Sequence, residues 1–361
     1  MFVAWRDLRH ARGRFILIGG VVALITVLVG FLAGLTGGLA AQNVSAVLGL
    51  PGDRLVLQKP AGGAASFSES ALSASVVDAW RQADGVTAVV PVGIAQSRAT
   101  QEGASAGVAL FGLPADAGDT GATALTRLAP AADTEVGLSA GAAKDLHAAV
   151  GDTVSILGAD YRVATVGGDA WYSHTPVIAL TPDSWAAADK RMGGDGEPTV
   201  LAVSGSPQWD AVASRTGTSA QPGLLSLTAL ETFKSEIGSL GLMVAMLFGI
   251  SALVVGAFFT VWTMQRSGDI AVLKALGATQ RSLVADALGQ ALVVLVAGIG
   301  AGMLVVLGLG ALASGALPFL VAPLTTAVPA VAMTLLGLAG AAFALRTVTS
   351  ADPLTALGSN R

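Results

Sequence analysis

Between Phe15 and Gly52 the chain carries no charged residue. The first 26 of these positions, Phe15–Ala40, form an apolar run, and a hydrocarbon core about 30 Å thick takes roughly 20 apolar residues to cross as a helix. A second bare stretch follows Glu236 and continues to Met264, and two more occupy 287–313 and 328–345. The last of these is the shortest and contains Gly337 and Gly340. Four transmembrane helices are therefore expected. Arg6, Arg9, Arg12 and Arg14 precede the first run, as in a secretory leader. The apolar region of a leader spans only about 7–15 residues, so this run reads as a retained anchor.

The remaining charge is concentrated elsewhere. Asp53–Lys234 holds 19 of the 24 acids and 11 of the 20 bases, although charged residues make up only 12% of the chain. A soluble protein carries about 25% charged residues, so the chain divides into a membrane part and a water-exposed part. The expected organisation is a segment 1–14, helix 15–40, a domain at 41–235, helix 236–264, a loop at 265–286, helix 287–313, a turn at 314–327, helix 328–345 and a tail at 346–361. Orientation follows from basic residues flanking the spans. Arginine crowds the N-terminal segment, Arg266, Lys274 and Arg281 lie in the 265–286 loop, and Arg346 and Arg361 in the tail. The 314–327 turn has no charge. Both termini and the 265–286 loop are thus expected in the cytoplasm of a bacterial plasma membrane, with the large domain outside.

The pattern within 41–235 is mixed α and β. Asp53–Gln58 and Val86–Val92 read as strands. Ser68–Ala83 has helical spacing with Ser68 as N-cap, and Ser139–Ala148 reads as a shorter helix. Thr153–Leu157 and Asp160–Val166 alternate like the arms of a hairpin turning at Gly158–Ala159. Residues 172–181 form another strand, broken at Pro176. The fold class is then a membrane protein with four transmembrane α-helices and a mixed α/β extracytoplasmic domain between helices 1 and 2.

Catalytic patterns are absent from the sequence. The three histidines, His10, His147 and His174, are too scattered for a metal pair or a catalytic dyad. His147 is expected at a solvent-facing helix end and His174 beside a proline turn. There is no cysteine, hence no thiolate site. No Gly-x-x-x-x-Gly-Lys-[Ser/Thr] loop occurs, and the only lysine followed by Ser or Thr is Lys234, after Phe233. The chain cannot cradle ATP phosphates by that route. It reads as neither an enzyme nor a nucleic-acid binder, and no permanently bound cofactor or metal is expected.

The most specific stretch is Gln265–Gly289. Ile270, Leu273 and Leu276 make an apolar stripe, Gly277 is a natural helix stop, and Thr279 or Ser282 can start the next helix. Such a helix suits docking in the groove of a partner, and equally suits lying on the membrane surface. The run Asp269-Ile270-Ala271-Val272-Leu273-Lys274-Ala275-Leu276-Gly277-Ala278 resembles the signature of the FtsX/MacB-like permeases of ABC transporters. The tail Asp352-Pro353-Leu354-Thr355-Ala356-Leu357 is similar to that family's closing motif, and the order of one span, a large domain and three spans is also the family's. The resemblance implies that Asp269, Ile270, Leu273, Lys274, Leu276 and Gly277 couple to a separate ABC ATPase subunit holding ATP and Mg. Asp269 stands where Glu is commoner. It further implies two copies of the permease in the complex.

Phe2–Phe15, Leu35–Asn43 and Trp171–Ile178 resemble the DevC-like and HrtB-like branch, of which HrtB-like permeases export haem. On that resemblance haem is the expected cargo, drawn from membrane lipid. With no histidine in a span, the residues able to touch haem are Glu231 and Glu236, whose carboxylates ligate iron weakly, Met243 and Met246, whose thioethers do the same, and Phe31, Phe248 and Gln42. Each has a plainer role open to it. Methionine fills gaps in helix bundles, the two acids fit a solvated helix face with Lys234, and Gln42 and Asn43 fit the cap of the first span. Two further readings remain beside haem export: transmission of motion to an external partner, as in the FtsX branch, and export of lipid, lipoprotein or other hydrophobic cargo.

Overall fold

A computed structural model describes residues 12–265, 268, 272, 277, 279–313 and 317–349. Four helices are long and apolar enough to cross a membrane: α1 (Arg12–Leu48), α7 (Glu231–Gln265), α8 (Gln280–Ala313) and α9 (Pro323–Thr349). The chain separates into two units, one of 39–238 and one comprising 1–38 with 239–361.

In the helical unit the packed faces are small and aliphatic. Ile18, Val22 and Val29 of α1, Val255 and Phe259 of α7, Val294, Leu295 and Ile299 of α8, and Met333 of α9 share one buried cluster. Between lipid-soluble helices, close backbone approach provides the attraction that the hydrophobic effect does not. Gly298 and Gly302, one turn apart on α8, supply it: a methyl group added at either would sit 2.9 Å from the Gly19 carbonyl oxygen or 2.6 Å from Cβ of Thr26 on α1. The rings of Phe31 and Phe319 pack with centroids 5.2 Å apart.

The other unit is a ten-stranded mixed sheet dressed with short helices. Its strands are β1 (Arg54–Gln58), β2 (Val86–Gln101), β3 (Ala104–Gly112), β4 (Glu135–Leu138), β5 (Thr153–Ile156), β6 (Ala159–Val166), β7 (Trp171–Tyr172), β8 (Thr175–Leu180), β9 (Val200–Gly205) and β10 (Thr218–Pro222). The short helices are α2 (Ala74–Arg81), α3 (Ala140–Leu146), α4 (Pro182–Arg191), α5 (Trp209–Thr216) and α6 (Gly223–Ser226). The order is β10-β1-β9-β2-β3-β8-β4-β6-β5, with β7 beside β8. The long β2 joins two halves. Val86–Val92 pairs with β9 and Gly93–Gln101 with β3. Pairing of Ala99 and Thr100 with β5 closes the second half on itself.

Period-two alternation sends successive side chains to opposite faces, and here both faces are buried. Val56, Leu201 and Val203 pack beneath α2 and α5 around the fully buried Trp80. Their neighbours Leu55, Leu57, Val200 and Ala202 enter a second core. That core also receives Ala109, Phe111, Val177 and Ala179, while Val108, Leu110, Ile178 and Leu180 face α3 and α4.

Several boundaries differ from the sequence reading. The first helix was expected to end at Ala40 and runs on to Leu48, because Val44, Ala46 and Val47 return at helical spacing to enter the domain core. Gln42 and Asn43 are therefore inside the helix and do not cap it. Likewise α7 begins at Glu231 rather than 236, where Leu230 and Phe233 pack on the same core. The third helix starts at Gln280 rather than 287, with Thr279 as its cap, whose Oγ1 accepts from Ser282 N at 3.3 Å. The fourth starts at Pro323 rather than 328.

The expected helix at Ser68–Ala83 is confined to Ala74–Arg81. The Ser70 hydroxyl bonds the Thr199 carbonyl at 2.6 Å and accepts from Gln58 N at 2.9 Å, and such side-chain bonds compete with helix formation. Helix α3 is capped by Ser139 and stopped by His147, exposed and left-handed at φ 56°. The β5–β6 hairpin turns one residue earlier than expected, at Leu157–Gly158. The strand expected over 172–181 breaks at Ser173–His174, while Pro176 lies within β8.

Candidate functional site: a hydrogen-bonded cluster around Glu236

The break at Ser173–His174 builds the site. Trp171 pairs with Pro176 and Tyr172 with Thr175, so two residues make the whole turn, and both are left-handed: Ser173 at φ 47° and His174 at φ 63°. Tight hairpins of this kind favour Asn and Gly. Non-glycine residues held there store of order 1–3 kcal/mol each and gather at functional positions.

The turn lies against two helix ends. Ser173 N donates to the Asn43 carbonyl and His174 N to the Gln42 carbonyl, each at 3.0 Å. The Ser45 hydroxyl accepts from Trp171 N at 2.9 Å. Thr232 and Glu236, four residues apart on α7, share one helix face and meet the same turn. Glu236 Oε2 accepts from Asn43 Nδ2 at 2.8 Å and pairs with His174 Nε2 at 3.0 Å. A carboxylate can only accept, so this contact puts the imidazole proton on Nε2. Thr232 Oγ1 donates to Asn43 Oδ1 at 3.2 Å and lies 3.2 Å from Ser173 Oγ. Asn43 is fully buried, whereas the His174 and Glu236 side chains are 38% and 22% exposed. The result is a carboxylate fixed in orientation on one side and open on the other. Every member lies within the 39–238 unit.

Chemically, a half-open carboxylate–imidazole pair can offer one ligand to a metal that brings the rest of its own coordination. Among the described residues no three His, Cys, Asp or Glu are grouped to hold a bare metal ion. Tyr172, immediately before the turn, is buried, and desolvation pushes its phenol up. It stays neutral.

Of the residues singled out in the sequence, Glu236 and Gln42 belong to this cluster, Gln42 through its carbonyl. Glu231 is exposed on the first turn of α7. Met243 and Met246 are exposed on the same helix, at 52% and 61%. The Phe31 ring is engaged with Phe319, and Phe248 packs against the buried helical cluster. In the 265–286 loop, Gly277 has φ 92°, which suits a helix stop. Asp269, Ile270, Leu273, Lys274 and Leu276 lie outside the described residues. Ser173 and Thr232 are not singled out in the sequence, where His174 reads as a structural residue beside a proline turn and Asn43 as a cap; all four belong to the cluster. Two signals pointed to them: the Ser-His pair between two strand-like halves, and the branch resemblance of Leu35–Asn43 and Trp171–Ile178.

Residues 241–353 match the family described as FtsX-like permease C-terminal. The chain carries an FtsX-like permease domain. It is also similar over 99% of its length to 99% of a Staphylococcus haemolyticus protein named as a hemin transport system permease, HrtB, at 24% identity. A relative from Mycobacterium tuberculosis, named an uncharacterized ABC transporter permease, is 26% identical over 99% of both chains. Among solved structures, the periplasmic region of MacB from Actinobacillus actinomycetemcomitans is similar to it at a TM-score of 0.36 and 12% identity, covering 52% of this chain and 94% of that one. The four apolar helices and the permease domain make this a membrane protein. Permeases of ABC transporters are not themselves enzymes, and their family implies an ABC ATPase as partner.

Proposed function

We propose that the chain is the permease subunit of an ABC-type exporter of haem. Two copies would work with two copies of a separate ATPase, with both termini cytoplasmic and the α/β domain outside. The observation that carries the reading is the Glu236 cluster, in which Asn43 and His174 orient a carboxylate whose remaining face is open. Similarity to a hemin transport permease along nearly the full length supports the same cargo. A single oxygen ligand binds haem iron weakly compared with thiolate or paired imidazoles, which suits a protein that must release what it binds. Glu231, Met243, Met246, Phe31 and Gln42 remain candidates for further contact with the macrocycle.

In this reading ATP binding by the partner is felt at the Asp269–Gly277 segment. The Ser173–His174 turn then matters mechanically, because four hydrogen bonds join it to the end of α1 and the start of α7, and Asn43 adds two directly between those helices. Movement of those helix ends would reset the Glu236 carboxylate and so alternate between binding and release.

The same tie supports a second reading, in which the ATPase cycle reshapes the α/β domain to regulate an external partner. Haem titration separates them. The full chain, purified in detergent, is titrated with haem while the Soret band is followed. A saturable shift weakened in Glu236→Gln and unchanged in Glu102→Gln supports export. No shift in the intact protein removes haem and leaves the second reading.

A further inference from the structure

Away from the Glu236 cluster, the α/β domain leaves two adjacent leucines in the open. Leu224 and Leu225 of α6 are 73% and 56% exposed. A lone exposed apolar residue is ordinary, whereas a contiguous apolar surface marks a place of contact. This one is contiguous: Leu225 borders a groove of about 330 Å³ that is also lined by Leu55, Leu57, Ala64, Ala65 and Ala229. Lys59 lines the groove too, and no Asp or Glu does so among the described residues. The surroundings are of the opposite sign, since acids outnumber bases 19 to 11 between Asp53 and Lys234. Lys59 has no ion pair among the described residues. The surface therefore suits a partner that is apolar and carries negative charge.

The position of the groove along the chain indicates what covers it. Four residues, Leu227–Leu230, separate α6 from Glu231, where the membrane-crossing α7 begins. Leu227 and Leu230 are buried in the core on which Phe233 of α7 packs, and Val44 and Val47 from the last turns of α1 enter the same core. Both spans thus leave the domain from this core. The last charge on α7 is Glu236, about 7–8 Å along the helix axis from Glu231. The headgroup layer on each side of a bilayer is about 5–8 Å deep. The first turns of α7 therefore lie among headgroups, and the lipid-covered surface of that helix is continuous along the chain with α6.

We infer that this surface rests on the phospholipid leaflet on the domain's side of the membrane. Leu224 and Leu225 enter the boundary between headgroups and acyl chains, as the apolar face of an interfacial helix does, and the Lys59 ammonium meets a lipid phosphate. Phospholipid matches both halves of the surface: its acyl chains take the leucines and its phosphate takes the cation. The contact holds the base of the domain to the bilayer at a third point, beside α1 and α7. It requires only that the chain spans a membrane, and it is independent of the haem reading.

The chain contains no cysteine, so Leu224→Cys, Leu225→Cys and Val150→Cys each offer a single position for the environment-sensitive dye NBD. Val150, 61% exposed in the same domain just before β5, is the reference. The full chain is placed in phosphatidylcholine nanodiscs, with and without phosphatidylglycerol, and a doxyl-labelled lipid is added to quench any dye that touches lipid. Blue-shifted emission and quenching are expected at Leu224 and Leu225 and not at Val150. Phosphatidylglycerol should favour the lipid-bound form about fivefold, the effect of one lysine near an anionic surface, and Lys59→Gln should remove that gain. Equal quenching at all three positions, or none at Leu224 and Leu225, overturns the contact. A blue shift without quenching overturns it as well, and assigns the surface to a second copy or another protein. Quenching that ignores both phosphatidylglycerol and Lys59→Gln overturns the part given to Lys59.

Discussion

Replacing Asn43 by Asp is the sharpest test of the Glu236 cluster, because it changes one atom in a fully buried side chain. Asn43→Ala gives the reference. It removes a hydrogen bond to a carboxylate, worth about 1.5–3 kcal/mol, and one to a hydroxyl, worth about 0.5–1.5 kcal/mol. Glu236 keeps His174 and solvent, and Thr232 keeps Ser173, so a loss of about 2–3 kcal/mol is expected. Asn43→Asp preserves shape and the acceptor for Thr232 but turns the donor facing Glu236, now 2.8 Å away, into a second carboxylate. Even after relaxation to about 4 Å, two like charges in a partly shielded site repel by about 4 kcal/mol.

The pH dependence has a definite sign. Repulsion raises the introduced carboxyl above its unfolded value of about 3.9, so the folded state holds a proton that the unfolded state has lost. Stability then falls as pH rises, at about 1.4 kcal/mol per unit, until the penalty saturates near pH 7. Asn43→Asp should be more stable than Asn43→Ala at pH 5 and less stable at pH 8, with wild type above both at pH 8. Thermal unfolding of the full chain in detergent at the two pH values reads this directly. An Asn43→Asp protein as stable as wild type at pH 8 would refute the contact.

Three further outcomes follow from particular residues. Ser173→Asn, which suits a left-handed turn position, should stabilise the domain by about 0.5–1 kcal/mol in the same unfolding assay. His174→Gly should relieve comparable strain yet weaken the haem-induced Soret shift, because Glu236 loses a partner. A Cβ at Gly38 would overlap the Pro318 carbonyl oxygen, so Gly38→Ala should lose most of its monodisperse peak on size-exclusion chromatography. Gly20→Ala, with nothing within 4 Å of its Cβ, should elute as wild type. Leu276→Asp should abolish co-purification with the ATPase, since it places a charge in the apolar stripe of the proposed docking segment.

The four spans were legible because lipid imposes a length and a lack of charge that no other environment demands of Phe15–Ala40. Their ends were not. The spacing of Val44, Ala46 and Val47 continues the first helix, but their burial comes from strands far away in sequence, and a run of Gln42, Asn43 and Ser45 reads locally as a cap. The Ser68 region misled for a related reason. Phe67 and Leu72 enter different cores, which a single short helix could not satisfy. The candidate site was half visible. Glu236 stood out as an acid at the start of an apolar helix, whereas its partners His174 and Asn43 lie 62 and 193 positions away. Spacing carries no information about such pairs; only the two-residue turn between β7 and β8 brings them together.

As a haem exporter, the permease would spend ATP hydrolysed by another subunit on moving haem. The most direct measurement is the ATP hydrolysis rate of the ATPase reconstituted with the chain in nanodiscs, with and without haem. The prediction is stimulation by haem that is weakened in Glu236→Gln and lost in Leu276→Asp. A rate indifferent to haem and identical with and without the permease would contradict it.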